Sequence, residues 1–594
     1  MNRIRHVNRP PEQADIMHRL AGLRVEHLDN SIRFEEYCYH AAMLYLELEK
    51  PLRALRLLKR LNAGYAPAIC LPPVSALLER ATGRTSFPYP LCSVNMIARD
   101  EEKNIGAALD SIDAIADEIV VCDTGSADAT VRVAGLYGAR IIDAPWTGSF
   151  SDARNRAIAA STGDWIFWMD ADDRLDASCA ADCVRLWRTA RPHAAQFCIV
   201  NNRPDGTSPR FLQARLFPRR EGVRFERRVH EQVVISALRA GFPLVNHEHI
   251  RINHAGYADD QSLRVKARRN LPMIEADLAD NPGDPVLLIG KGDCLALLGD
   301  YPQAMAAYRE VINNDRNFFR QSDVYIQTHY QLAQVCRAHH DAAEAKRYLL
   351  RCLYLDPQHI AAALLLGELY LDERDLKRAM FFFVKAAQEQ APMRTTAMDA
   401  SGIKMKAIAR LAEIVLEWKK FKEAEDLLTN ALALFPDTMD FYSQMGRAIM
   451  GQGRPAEAAW YFGYSAKICP TGNPIAYQGL ASIYMAVGDL RKAADILTQA
   501  LENSSASPDI YTLLGNALFE LDDPARALDA FDHVLDSEAM RVSESLLWRA
   551  TSCALDVLDI RRAKTLLGRI LDRNPDDRKA QEVFQKIEAE ATGA

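Results

Sequence analysis

The sequence predicts an α/β domain, its mostly parallel sheet flanked by helices, followed by an all-α superhelix of repeated helix hairpins. Three observations predict it. Between about Tyr89 and Tyr257, short β-rich runs alternate with helical stretches, the pattern of strands joined by crossover helices. Beyond residue 284 one register of small residues returns again and again. The composition is that of a soluble, mildly acidic protein with a large core: 594 residues, 49% hydrophobic, 72 Lys+Arg against 79 Asp+Glu for a net charge of −7. It excludes a collagen, a disordered tail or a disulfide miniprotein. It also argues against a dedicated nucleic-acid binder, which needs a concentrated basic face.

Residues 1–87 are expected to be helical, with Ala42, Tyr45 and Ala54 in the register of the later repeats, as in a single hairpin packed on the adjoining α/β segment. The amino terminus is basic without the apolar stretch of a secretion signal. The densest apolar run, Ala361 to Leu366, is far below the ~18 residues a membrane span requires. A cytoplasmic protein is expected. Twelve cysteines lie scattered through apolar segments with no C-x-x-C pair, which fits buried reduced thiols better than a zinc site or a disulfide framework.

In the α/β segment, strands are predicted at Leu91 to Ile97, Glu118 to Cys122, Ala139 to Ile142 and Trp165 to Met169, and helices at Glu102 to Ile112, Ala129 to Tyr137 and Asp152 to Ala160. Ligands in such sheets sit beyond the carboxyl ends of the strands. That rule selects Ala98 to Glu101, Asp123 to Ser126 and Asp170 to Asp173. No G-x-x-x-x-G-K-[ST] phosphate loop is present. Instead the fourth strand delivers Asp170-Ala-Asp172-Asp173, carboxylates suited to Mg²⁺ or Mn²⁺, which can bridge to a diphosphate. A solvated acidic turn would account for Asp173 but poorly for Asp170.

Val121 to Asp128, Asp152-Ala-Arg-Asn155 and Asp170 to Asp173 resemble, in order and spacing, the nucleotide-binding and D-x-D motifs of family 2 glycosyltransferases with the GT-A fold. Ile97 to Ile105 is similar to that family's first-strand motif, with Arg99-Asp100 standing where tyrosine-asparagine is usual. The resemblance implies that Asp123 accepts a hydrogen bond from the base of a nucleotide sugar, a UDP-sugar by expectation, with Ala98, Arg99 and Glu101 in the same pocket. It implies that Arg154 positions the nucleotide, that Asp172 ligates the metal, and that Asp170 lies near the ribose or the metal.

Phe225 to Glu231 ends in a His-Glu pair that looks like the one in the subgroup where such domains are fused to repeats. A base must take the acceptor proton, and Glu231 is preferred to His230, with a salt link to Arg227 or Arg228 as the competing reading. The string Ile252 to Tyr257 resembles the end of the catalytic domain in the same subgroup, which makes His254 a further metal ligand. His247 and His249 receive no role.

In the repeats, Ala304, Ala345, Ala379, Ala424, Ala458, Ala493, Ala527 and Ala563 share a register, and five of the seven steps are 34 to 36 residues. The steps of 41 and 45 place insertions near Asn314 to Gln321 and Gln390 to Ser401. Twelve residues before each alanine stands a small residue: Gly292, Ala333, Gly367, Ala412, Gly446, Ala481, Gly515 or Thr551. Prolines 357, 436, 470 and 575 end four units. The pattern resembles the tetratricopeptide repeat, whose stacked hairpins form a concave, peptide-binding surface. The register puts Tyr330, Gln334, Arg337, Glu413, Arg447 and Asn516 on that surface.

The expected organisation is a helical segment over 1–87, a transferase domain over 88–270, a linker helix region over 271–283 and about eight repeats over 284–594. The expected activity is that of a bacterial, metal-dependent, inverting hexosyl- or N-acetylhexosaminyltransferase. It would move a sugar from a nucleotide sugar to a protein or peptide held by the repeats. Two alternatives are a transferase acting on a glycan or lipid-linked saccharide, with repeats for assembly, and a non-catalytic nucleotide-sugar-binding scaffold.

Overall fold

A computed structural model of the chain describes residues 11–28, 34–48, 50–62, 90–189, 191–203, 207–254, 260–313, 322–503, 506–535 and 542–592. The insertion at Asn314 to Gln321 and the string Ala255 to Tyr257 lie outside or largely outside them. Two compact units divide the chain, Met1–Leu369 with Glu389–Gly402, and Tyr370–Gln388 with Ile403–Ala594.

In the first unit, helices α1 (Pro11–Leu28), α2 (Phe34–Glu47) and α3 (Pro51–Asn62) precede the sheet. There follow β1 (Cys92–Ala98), α4 (Ile105–Ile112), β2 (Glu118–Asp123), α5 (Thr130–Leu136), β3 (Arg140–Asp143), α6 (Phe150–Ala160) and β4 (Trp165–Asp170). β2 is buried throughout and β1 and β4 nearly so, because helices cover both faces; this is why these strands read as continuous apolar runs. The next elements are β5 (Asp173–Leu175), α7 (Ala180–Thr189), β6 (Ala194–Asn201), β7 (Arg210–Pro218), α8 (Val234–Arg239), β8 (Leu244–His254) and the 21-residue α9 (Asp260–Asp280).

The eight strands are ordered β3-β2-β1-β4-β7-β6-β8-β5. β3, β2, β1 and β4 run parallel, as the alternation of strands and helices requires. β7 is antiparallel to β4 and β6, β8 is parallel to β6, and β5 is antiparallel to β8, so the whole sheet is mixed. Among the described residues no helix is long and apolar enough to cross a membrane.

Helices α1 to α3 are bound to the sheet's first crossover by buried ion pairs. Arg24 and Arg53 both reach the fully buried Asp113, just after α4, and Arg53 also donates to the carbonyls of Asp113 and Tyr137 at 2.7 and 3.0 Å. Lys50 pairs with Asp117 at 2.7 Å, and Arg56 with Glu118. Each cation is matched, as a buried charge must be.

Among the described residues the repeats comprise sixteen helices, two per register unit, from α10 (Pro285–Leu298) to Ile560–Arg573, with a further helix at Arg578–Thr592. All eight register alanines are fully buried. Five residues before each alanine the backbone is left-handed, at Gly299, His340, Arg374, Lys419, Gly453, Gly488, Asp522 and Leu558, with φ between 56 and 88°. The turn geometry is therefore constant although only three of these residues are glycine, so the non-glycine units carry about 1 kcal/mol of local strain each.

The small position twelve residues before the alanine follows a volume rule. Where it is glycine, the residue sixteen positions on is aromatic (Tyr308, Phe383, Phe462, Phe531); where it is Ala or Thr, that residue is leucine (Leu349, Leu428, Leu497, Leu567). A Cβ on Gly292, Gly446 or Gly515 would come within 2.5–2.7 Å of the Tyr308, Phe462 or Phe531 ring. Gly446→Ala is therefore expected to destabilise by about 1–3 kcal/mol through overpacking. Adding Phe462→Leu, which recreates the Ala412/Leu428 combination, should recover much of that loss. Denaturant titrations of the parent, both single variants and the double variant measure the coupling.

Candidate active site

The site lies along the carboxyl ends of β2, β1 and β4 and the amino-terminal half of the antiparallel β7, with Gln196 of β6. After β1 and β2, two loops are laced together: Asp100 N donates to Ser126 Oγ at 3.0 Å, Ala127 N to Asp100 Oδ1 at 2.8 Å, and Glu101 N to Thr130 Oγ1 at 2.7 Å. Asp100 is left-handed at φ 56°, a conformation Asp tolerates, and its carboxylate fixes the facing loop. Asp123 is 6% exposed and accepts from the amides of Gly125 (3.2 Å) and Ser126 (3.1 Å), so its carboxylate also shapes its own turn. Ala98, Arg99, Glu101 and Thr124 line a cleft of about 720 Å³, with Glu101 Oε2 holding Asn104 at 2.9 Å.

At the end of β4 the three carboxylates have different surroundings. Asp173 is fully buried: Oδ2 accepts from Asp170 N (2.9 Å) and Arg215 Nη1 (2.7 Å), and Oδ1 pairs with His254 Nδ1 (2.9 Å). Asp170 accepts from Arg154 Nη2 at 2.7 Å, with Arg215 Nη2 3.9 Å away. Burial raises its proton affinity, but the two guanidiniums more than offset this and hold its pKa at about 2. Asp172 lies 3.5 Å from His254 Nε2 and forms no ion pair with an arginine or lysine; burial raises its pKa. His254 comes to this point because β8 ends opposite β5, pairing His254 with Asp173. Burial lowers its basicity, but Asp173 and Asp172 reverse the sign and raise it.

Asp172, Asp173 and His254 can each turn one ligand atom to a common point, these atoms lying within 4.8 Å of one another. The donor set fits a divalent cation. With Nδ1–H directed at Asp173, His254 offers its Nε2 lone pair toward the cleft, and Asp172 offers a carboxylate not bound to any cation, an oxygen–imidazole set suited to Mn²⁺ or Mg²⁺. Asp173 serves as the partner that orients the imidazole, and Asp170, held by Arg154, borders the cluster.

Arg154, projecting from α6, is buried and also donates through Nε to Glu231 Oε1 at 2.8 Å. Its guanidinium lies 4.0 Å from the Trp168 ring centroid, and that of Arg215 3.9 Å from the same ring. Glu231 sits in a tight loop closed by reciprocal Glu226–Gln232 backbone bonds, with Arg227 and His230 left-handed at φ 77 and 54°. The loop is anchored to α6 by Phe150 N on Arg228 O (2.8 Å) and to α9 by Arg228 N on Asp277 (2.6 Å). Arg227 pairs with Asp284, and Arg228 with Asp277 and Asp280, so the cation beside Glu231 is Arg154 rather than either sequence neighbour. The His230 ring lies against Gly290 of α10, where a Cβ would approach it to 2.8 Å, and both His230 and Glu231 line the cleft.

Several cleft residues carried no signal in the sequence. Trp146 and Phe150, in edge contact at 4.8 Å, line one wall, and Lys266, Arg269 and Asn270 of α9 contribute to the same cleft. Another part comes from the insertion at Gln390 to Ser401. β7 runs past the end of β4, and the insertion pairs with that open edge: Arg210 N to Met398 O (3.0 Å), Met398 N to Arg210 O (3.1 Å) and Leu212 N to Arg394 O (2.7 Å). Arg394 holds the segment with ion pairs to Asp323 (3.1 Å) and Asp356 (2.6 Å), and Thr395 lines the cleft. The long repeat step was the available signal for this segment.

His193 Nε2 and His247 Nε2 meet at 3.1 Å away from the cleft lining. In the repeats Gln334, Arg337 and Arg447 are exposed and Tyr330, Glu413 and Asn516 half-buried, with Arg337 paired to Glu368 (2.7 Å) and Glu413 to Arg410 (2.8 Å). Among the described residues eleven cysteines are free thiols, all but Cys469 buried.

Residues 93–247 match the family described as Glycosyl transferase family 2, and residues 288–317, 326–359, 416–474 and 479–539 match tetratricopeptide repeats. A TPR repeat-containing protein of Synechococcus elongatus is 34% identical over 236 residues, 38% of this chain and 57% of the relative. The SPbeta prophage-derived glycosyltransferase SunS of Bacillus subtilis is 25% identical over 249 residues, 41% of this chain and 58% of the relative. The chain thus spans a little over half the length of these curated relatives. A solved tetratricopeptide repeat protein from Parabacteroides merdae aligns with 45% of this chain and 98% of its own, at 14% identity and a TM-score of 0.35.

The two neighbouring aspartates should behave oppositely on substitution. Asp173→Ala strands the buried Arg215 cation and is expected to lower stability by about 3–5 kcal/mol. Asp172→Ala, which breaks no buried pair with an arginine or lysine, should leave the melting transition nearly unchanged. Thermal denaturation of the two variants beside the parent checks the contrast.

Proposed function

From a chain that carries a family 2 glycosyltransferase domain followed by tetratricopeptide repeats, we propose that it transfers a sugar from a UDP-sugar to a hydroxyl or thiol of a protein or peptide acceptor, with inversion at the sugar carbon. The observation that carries this reading is the cluster of Asp172, Asp173 and His254 in the same cleft as the ends of β1 and β2. Ala98, Arg99 and Glu101 line the nucleotide end, with Asp123 in the turn beside them. Asp172 and His254 would hold Mn²⁺ or Mg²⁺, with Asp170 beside them. A divalent ion there supplies charge compensation for a departing diphosphate.

Glu231 is the acceptor base in this reading. Arg154 fixes its Oε1, leaving Oε2 to take the acceptor proton while the acceptor atom attacks the sugar carbon in one displacement. Arg154 also ties that base to Asp170, so the two reacting partners are positioned by one guanidinium. In the first unit the exposed polar side chains of Gln334 and Arg337 support an extended peptide as acceptor, and the free thiols support a cytoplasmic location. The hexosyl or N-acetylhexosaminyl class belongs to the same proposal.

The test is a screen of nucleotide sugars for hydrolysis or transfer with and without added Mn²⁺. Turnover that needs the metal and is lost in Asp172→Asn is the expected result; binding and turnover unaffected by excess chelator would overturn the metal assignment. Glu231→Gln should reduce turnover about 10²-fold or more while donor affinity changes little, as loss of a general base does. Steady-state kinetics with separate donor-binding measurements distinguish that from a lost donor contact.

A further inference from the structure

The cleft's cations fall into two kinds. Arg154 is neutralised by Asp170 and Glu231, Arg99 lies 3.8 Å from the Asp100 carboxylate, and Arg215 behind Arg154 is neutralised by Asp173. On the loop below, Arg227 and Arg228 are matched by Asp284, Asp277 and Asp280. Lys266 and Arg269 of α9 differ. Both are exposed, both line the cleft, and neither has a carboxylate partner among the described residues. Arg269 reaches only the neutral Asn270 Oδ1, at 3.1 Å, and lies 5.4 Å from the Phe150 ring centroid.

Their spacing of three residues puts them on one helix face, where like charges oppose helix formation by a few tenths of a kcal/mol. This pairing of like charges is unfavourable on the bare helix. It becomes favourable when an anion enters, and the cleft already holds Asp172 and His254, groups suited to a cation that would itself bind an anionic ligand.

We propose that Lys266 and Arg269 grip the diphosphate of a nucleoside diphosphate or its sugar ester from the α9 wall of the cleft. The inference rests on the nucleotide-sugar reading above. It adds a pair of donor-binding side chains that compensate the charge left on the diphosphate when the sugar departs. Phe150 steers the guanidinium by contact with its face, and Asn270 does so through its side-chain oxygen.

Calorimetric titration of the full chain with UDP, UMP and uridine in Mn²⁺ tests it, using Lys266→Gln, Arg269→Gln and, as a control outside the cleft lining, Arg264→Gln. Each cleft variant is expected to bind UDP about tenfold or more weakly, as loss of one charged contact implies, with uridine binding and the control unchanged. UDP affinity within about twofold of the parent in both cleft variants would overturn the assignment, taking that margin as measurement scatter well below one charged contact. So would equal losses for UDP and uridine, which would place the side chains on the nucleoside. A parent protein that binds none of UDP, GDP, CDP and ADP would instead overturn the nucleotide-sugar reading, and this inference with it.

Discussion

Glu231, Arg154, Asp170, Arg215, Asp173, His254 and Asp172 form one continuous chain of alternating acidic and basic groups, with successive contacts of 2.8, 2.7, 3.9, 2.7, 2.9 and 3.5 Å. Both guanidiniums also lie against the Trp168 ring. Removing charges of this kind from water is unfavourable unless each has its counter-charge, so no member between the two ends can be shifted without exposing its neighbours' deficits. The chain crosses α6, β4, β5, β7, β8 and the loop at 226–232. It thereby fixes where the proposed base stands relative to the proposed metal ligands, using contacts that the two ends do not make with each other.

This arrangement also divides the labour among three adjacent aspartates. Asp173 is consumed by the interior, Asp170 is shared between two arginines, and Asp172 alone faces no cation other than a protonated His254. A tight acidic sequence thus yields one structural, one bridging and one available carboxylate. The difference comes from the β4–β5 turn, which sends Asp173 inward against Arg215 while leaving Asp172 in the cleft.

The repeats obey local constraints of another sort. A left-handed residue closes each turn, a buried alanine follows five positions later, and the crossing of the two helices is kept at constant volume by trading glycine and an aromatic ring against alanine or threonine and leucine. Because these rules act within some thirty-odd residues, they are written into each unit separately. The insertion at Gln390 to Ser401 breaks the spacing but not the rules on either side, and its backbone bonds go to β7 instead.

What the sequence determined by itself is whatever depends on neighbours along the chain. The strands β1 to β4 are legible as apolar runs, the repeats as a register, and Asp170 to Asp173, Asp123 and the Arg99 loop as residues that must follow strand ends. Tertiary structure alone decided the pairing of Asp173 with His254, 81 residues apart, and of Arg154 with Glu231, 77 apart, as well as the placing of Thr395 and α9 at the cleft. Sequence proximity offered Arg227 and Arg228 as partners for Glu231, but two left-handed residues turn that loop so that both arginines meet acids at or beyond the end of α9. Periodicity reports which face of an element is buried; it carries no information on which distant charge will neutralise a given carboxylate, because that choice is made by burial and sheet order once the strands have assembled.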